Sequence, residues 1–125
     1  MDVRPKILLV EDEPLVASML TSFLHESGFA VTGVYSAADA ATVIINQGAG
    51  FDALVTDINL GSGVDGVDLA QLLAGQNPQA RVIFVTGHLT AEMRARAPSG
   101  ATFLEKPFSP SQLHKALRGI ELGTA

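Results

Sequence analysis

The chain has 125 residues, 47% of them hydrophobic, which suits one domain with a real core. It carries 13 acidic against 8 basic side chains, a net charge of -5 with no Lys or Arg block, which argues against nucleic acid or an anionic membrane as partner. Cysteine is absent, so there is no disulfide frame, thiol chemistry or Cys-zinc site.

Met1 to Lys6 lacks the apolar core of a signal peptide. No apolar stretch nears the roughly 18 residues of a membrane span. The expected setting is the cytoplasm. In chain order, Ile7 to Val10 is a continuous apolar run of the kind that is buried on both faces of a sheet. Glu13-Pro14 opens a first helix, with Leu15, Met19, Leu20, Phe23 and Leu24 as its expected apolar stripe and Gly28 at its end. Ala30 to Tyr35 is a second strand. Ser36 with Asp39 starts a second helix that runs to about Asn46. Phe51 to Thr56 is the third strand. Asp65 or Gly66 begins a third helix with Val67, Leu69, Ala70, Leu72 and Leu73 on its apolar side. Arg81 to Val85 is the fourth strand, and a short helix follows around Thr90 to Arg96, stopped by Pro98. Thr102 to Leu104 is the fifth strand. Ser109-Pro110-Ser111-Gln112 caps the last helix, which turns Leu113, Ala116, Leu117 and Ile120 inward and ends at Gly123.

Five strands alternating with five helices predict right-handed βαβ crossovers and an α/β fold built on a parallel sheet. In such sheets ligands bind beyond the carboxyl ends of the strands. Four runs end there on polar residues: Glu11-Asp12, Asp57, Thr86 and Lys106-Pro107. Three carboxylates brought together repel one another unless cations join them. Lys106 supplies one positive charge, and a divalent ion would supply two more. Hard oxygen donors without His or Cys favour Mg²⁺ or Mn²⁺ over zinc. A nucleophile, a metal and charge stabilisation suffice for phosphoryl transfer, and a carboxylate serves as the nucleophile. Asp57 is the best candidate because its strand is central and Glu11 and Asp12 adjoin each other.

Taken together, Ile7-Leu-Leu-Val-Glu11-Asp12-Glu13-Pro14, Leu54-Val-Thr-Asp57-Ile-Asn59-Leu60, Val82-Ile-Phe-Val-Thr86-Gly87-His88 and Phe103-Leu-Glu-Lys106-Pro107-Phe108 resemble a response-regulator receiver domain, the phospho-acceptor module of two-component signalling. The resemblance covers essentially all 125 residues. It implies a flavodoxin-like (βα)5 fold with strand order 2-1-3-4-5 and a stand-alone receiver over residues 1–125 without an output domain. It implies that Asp57 accepts a phosphoryl group from a phosphohistidine, that Asp12 ligates Mg²⁺ directly and Glu11 through water, and that the Asn59 carbonyl completes the protein ligands together with Asp57. It further implies that Lys106 and Thr86 contact the phosphoryl oxygens, that Phe103 is the aromatic switch, and that the Lys106-Pro107 peptide is cis. The implied partners are a sensor histidine kinase or a histidine phosphotransfer protein and a downstream protein of unknown identity, with a homodimer as a further mode. Such a domain is not an enzyme: it catalyses only its own phosphorylation and dephosphorylation.

Two stretches depart from the family pattern. Gly61 stands where a proline is common, and the loop to Gly66 is one residue longer, so it is expected to be more flexible. The segment between Thr86 and Lys106 is short, so the fourth helix is expected to be stunted. That helix, the fifth strand and the fifth helix form the face through which the family signals.

Blander readings stand beside these. Acidic residues favour a helix start on their own, Thr86-Gly87 alone is more often a turn, and Phe103 alone is more often core. His88 is equally a loop histidine or a residue tuning water access. His25 and His114 are expected at the surface. Three other functions compete. A phosphatase of the haloacid-dehalogenase type requires Asp two residues after the nucleophile, where this chain has Asn59. A flavin or nucleotide site requires a glycine-rich or hydroxyl-rich turn after the first strand, where this chain has Glu11-Asp12-Glu13. A receiver-like scaffold working without phosphorylation remains the main alternative.

Overall fold

The apolar runs become strands in a computed structural model of the chain, which describes residues 3–61 and 63–118. The elements alternate as expected: β1 (Lys6–Val10), α1 (Pro14–Glu26), β2 (Ala30–Val34), α2 (Ala37–Gln47), a 3-10 turn (Gly48–Gly50), β3 (Ala53–Asp57), α3 (Gly66–Gln76), β4 (Arg81–Thr86), α4 (Ala91–Arg96), β5 (Thr102–Glu105) and α5 (Pro110–Ala116). All strand pairs are parallel, in the order β2-β1-β3-β4-β5. The order explains the composition. Residues 7–10 of β1, all of β3 and residues 82–86 of β4 are buried, whereas the edge strands β2 and β5 are only partly covered.

Side chains alternate across the sheet and divide the core in two. Leu8, Val10, Leu54, Val82 and Phe84 pack with α2 and α3 on one face. Ile7, Leu9, Val55, Ile83 and Val85 pack with Leu20, Leu24, Leu113 and Leu117 on the other. Truncating a fully buried residue such as Leu73 or Phe84 to Ala would cost about 2–5 kcal/mol.

Local signals set the helix ends. Pro14 occupies the first turn of α1, and Gly28 follows its end at φ +101°, a conformation suited to glycine. Ser36 Oγ accepts the Asp39 N–H, and Ser109 and Gln112 cap α5 reciprocally. α3 has a reciprocal cap of its own, Asp65 with Asp68, at the boundary the sequence left between Asp65 and Gly66. α4 has six residues and buries none, the stunted helix that the short segment implied.

The α1 stripe needs correction. Ala17, Leu20 and Leu24, at i, i+3 and i+7, form its buried face, while Leu15 and Met19 lie round the helix and are exposed. Leu72 of α3 is likewise on the solvent side. Ile120 and Gly123, expected to complete the last helix, lie outside the described residues. No helix among the described residues is long and apolar enough to cross a membrane.

Candidate functional site

Parallel strands bring their carboxyl ends to one edge, and β1 and β3 are neighbours there. Glu11 directly follows β1 and Asp57 ends β3. Both are buried, at 3% and 6% exposure, although both are acidic. Asp12 beside them is exposed. One carboxylate oxygen from each of Glu11, Asp12 and Asp57 lies within 4.8 Å of the others. The expected acidic cluster is therefore assembled, with its open side at Asp12.

Lys106 reaches the same point from the end of β5. Its Nζ is 2.8 Å from Asp57 Oδ1 and 3.7 Å from Glu11 Oε1. Its N–H donates to the Thr86 carbonyl at 2.8 Å, so β4 helps fix where Lys106 starts. The peptide to Pro107 is cis.

The charges act strongly on one another. Burial, then the Asp57 carboxylate, push the Glu11 carboxyl up to about 7, against the pull of the Glu13 N–H and the Lys106 ammonium. Burial lowers Lys106, but its hydrogen bond to Asp57 and the nearby carboxylates outweigh this and raise it above an ordinary lysine. One ammonium among three carboxylates leaves excess negative charge facing solvent. A hard divalent cation such as Mg²⁺ fits this all-oxygen donor set.

Asn59 is exposed, and its Oδ1 accepts the Gly61 N–H at 3.1 Å, closing a small turn in the loop after β3. Gly61 has φ +86°, which a proline could not adopt. Thr86 is buried at the end of β4, and its hydroxyl is bound within its own turn. It accepts the His88 N–H at 3.2 Å and donates to the His88 carbonyl at 3.3 Å. Phe103 is half-buried, stacked on Phe84 with ring centres 5.5 Å apart. His88 and His25 are exposed. His114 departs from the expected surface position: it is half-buried, edge-on to Phe23 and Phe29 at 6.3 and 6.0 Å.

Two arginines were not singled out from sequence. Arg94 places its guanidinium 4.9 Å from the Phe103 ring centre, and Arg96 pairs with Asp65 at 2.8 Å. The acidic pair Asp65-x-x-Asp68 was the available signal for the second contact, but its partner lies 31 residues away from Asp65.

A family model described as the response regulator receiver domain matches residues 7–118. The chain belongs to this family. Receiver domains are signalling domains that interact with histidine kinases or phosphotransfer proteins and bind Mg²⁺ in an acidic pocket. The chain is 34% identical over 117 residues to the alginate biosynthesis transcriptional regulatory protein AlgB of Pseudomonas putida, covering 92% of this chain and 25% of that protein. It is 30% identical over 112 residues to the phyllosphere-induced regulator PhyR of Methylorubrum extorquens, covering 90% and 42%. The chain thus spans less than half the length of these relatives. A response regulator receiver protein from Sinorhizobium medicae superposes with a TM-score of 0.88 at 30% identity, over 98% of both chains. A response regulator from Burkholderia pseudomallei, determined with a phosphorylated aspartic acid, calcium ion and citrate, has a TM-score of 0.77 at 26% identity, over 92% of this receiver and 67% of that chain.

Proposed function

We propose that this receiver takes a phosphoryl group from a phosphohistidine onto Asp57 and uses the change to alter its α4-β5-α5 face. The arrangement that carries the reading is Lys106 at 2.8 Å from Asp57 beside the buried Glu11 and the exposed Asp12. An Asp57 carboxylate oxygen attacks phosphorus, the P–N bond to the donor imidazole breaks, and the bond electrons leave with that imidazole. Asp12 and Asp57 would hold Mg²⁺ directly with the Asn59 carbonyl, and Glu11 through water. The bound ion would supply positive charge to the phosphoryl oxygens. Lys106 exchanges its contact with Asp57 for one with a phosphoryl oxygen. The Thr86 hydroxyl leaves its turn with His88 and donates to another. Phe103 moves toward the space Thr86 vacates.

The donor would approach over α1. Leu15 and Met19 are exposed there, and Met19 lines a cavity of about 270 Å³ together with Val16, Leu20, Lys106, Pro107, Phe108 and Pro110. An apolar patch beside the acceptor suits a protein donor. We place the exchange in the cytoplasm, with a sensor kinase or a histidine phosphotransfer protein as donor.

Incubation with acetyl phosphate and Mg²⁺, followed by intact-mass measurement, tests the reading. One base-labile, acid-stable phosphoryl adduct is expected, lost with EDTA and absent in Asp57→Asn. No adduct from either acetyl phosphate or a phosphohistidine donor would overturn it in favour of a scaffold that works without phosphorylation.

A further inference from the structure

The other helices each bury at least one side chain, but α4 buries none. Six residues are too few for a helix to persist without outside support. Met93 and Ala97 only partly cover the core. A cavity of about 380 Å³ flanks α4, between Met93, Arg96, Ile58 and Asn59. This partial apolar packing leaves room for other contacts to hold the helix in place.

Polar contacts do. Arg96 sets its fork on Asp65, with Nη1 2.8 Å from Oδ2 and Nη2 3.4 Å from Oδ1. Nη2 is also 3.5 Å from Asp68 Oδ1. Asp65 and Asp68 are the reciprocal cap of α3, so Arg96 attaches α4 to that cap. Gln71 Nε2 donates to the Arg96 carbonyl at 3.4 Å, and Arg94 covers Phe103 from the same helix. A bidentate arginine in a network is the form of surface ion pair that contributes most.

The cap is in turn joined to the phosphorylation site. Gly66 follows Asp65, and a Cβ there would overlap the Asp57 carbonyl oxygen and stand 3.0 Å from Ile58 Cα. The Gly66 N–H donates to the Ile58 carbonyl at 2.7 Å. Contact is continuous from the Asp57 backbone through Gly66 and Asp65 to Arg96.

We propose that Arg96 is a positioning residue that couples α4 to the loop after Asp57, so that the two move together, with Arg94 over Phe103 as the second attachment. Its signalling role rests on the phospho-acceptor reading above; the tether itself does not.

Hydrogen exchange of the full chain tests both parts. Asn caps a helix as well as Asp does, so Asp65→Asn keeps the α3 cap while weakening the tether. In unmodified protein, Arg96→Gln and Asp65→Asn should each lower protection of residues 91–97 several-fold, and the double variant should lose no more than Arg96→Gln alone. Unchanged protection in Arg96→Gln, or additive losses, would overturn the tether. After treatment with acetyl phosphate and Mg²⁺, exchange should change together in residues 58–66 and 91–97 of the parent chain. In Arg96→Gln the first change should remain and the second should shrink at least several-fold. A full-sized second change in that variant, or an adduct without any change at 91–97 in the parent, would overturn the coupling. An adduct missing from the parent chain would instead refute the phospho-acceptor reading, and the exchange data on unmodified protein would still decide the tether.

Discussion

Lys106 Nζ stands 2.8 Å from Asp57 Oδ1 and 3.7 Å from Glu11 Oε1, so one half-buried ammonium serves two buried carboxylates. Removing it would leave both carboxylates without their cation. Lys106→Met should therefore destabilise the metal-free domain by about 1–3 kcal/mol, the usual cost of stranding a buried polar group. Mg²⁺ should restore part of that loss by supplying the missing charge. Urea unfolding with Mg²⁺ and with EDTA would check this, and equal losses in both would refute it.

Stability should also depend on pH through Glu11. Its carboxyl is raised from the ordinary 4.5 to about 7 by burial first and Asp57 second. Between those values the folded chain keeps a proton that the unfolded chain has released. The contribution is fully present below pH 4.5 and is lost as pH rises through about 7. The metal-free domain should therefore lose thermal stability across that window, more than a Glu11→Gln variant does. A divalent ion competes with this proton, so stabilisation by Mg²⁺ should grow over the same range. Melting curves at a series of pH values, with and without Mg²⁺, would show both trends.

Gly66 should tolerate no side chain. Gly66→Ala forces a methyl group into the Asp57 backbone, where neither partner is a flexible side chain. The expected loss is about 1–3 kcal/mol, as for an overpacked core, with a slower reaction toward acetyl phosphate. Gly75→Ala is the control, because its Cβ would meet open space in the same helix. Chemical denaturation of both variants separates close approach from a general cost of replacing glycine.

The exposed pair on α1 should matter to a protein donor and not to a small one. Leu15→Lys and Met19→Glu should change stability by no more than about 0.5 kcal/mol, as expected for surface positions. Reaction with acetyl phosphate should be unchanged in both. Transfer from a phosphohistidine donor should slow at least several-fold. Equal donor rates in the parent and both variants would move the docking surface elsewhere.

The elements were readable because their signals are local. A continuous apolar run marks a strand covered on both faces, and Pro14, Ser36 and Ser109 mark helix starts within a turn of themselves. Leu15 and Met19 misled because their helical spacing groups them with Phe23 on one stripe, whereas the buried face runs through Ala17, Leu20 and Leu24, round the helix from them. His114 misled in the opposite sense. A polar residue on a helix reads as exposed until Phe23 and Phe29 are folded against it.

The sequence by itself determined the alternation of strands and helices, the family likeness, and which polar residues stand at strand ends. Parallel strands then must bring Glu11, Asp57, Thr86 and Lys106 to one edge of the sheet. Only the tertiary structure decided which of them touch. Lys106 reaches Asp57 and Glu11, while the Thr86 hydroxyl is held by His88. It also decided that α4 hangs from Arg96 on the cap of α3. Caps and periodicity act over a few residues and are written in order along the chain. Ion pairs join residues that only folding makes neighbours.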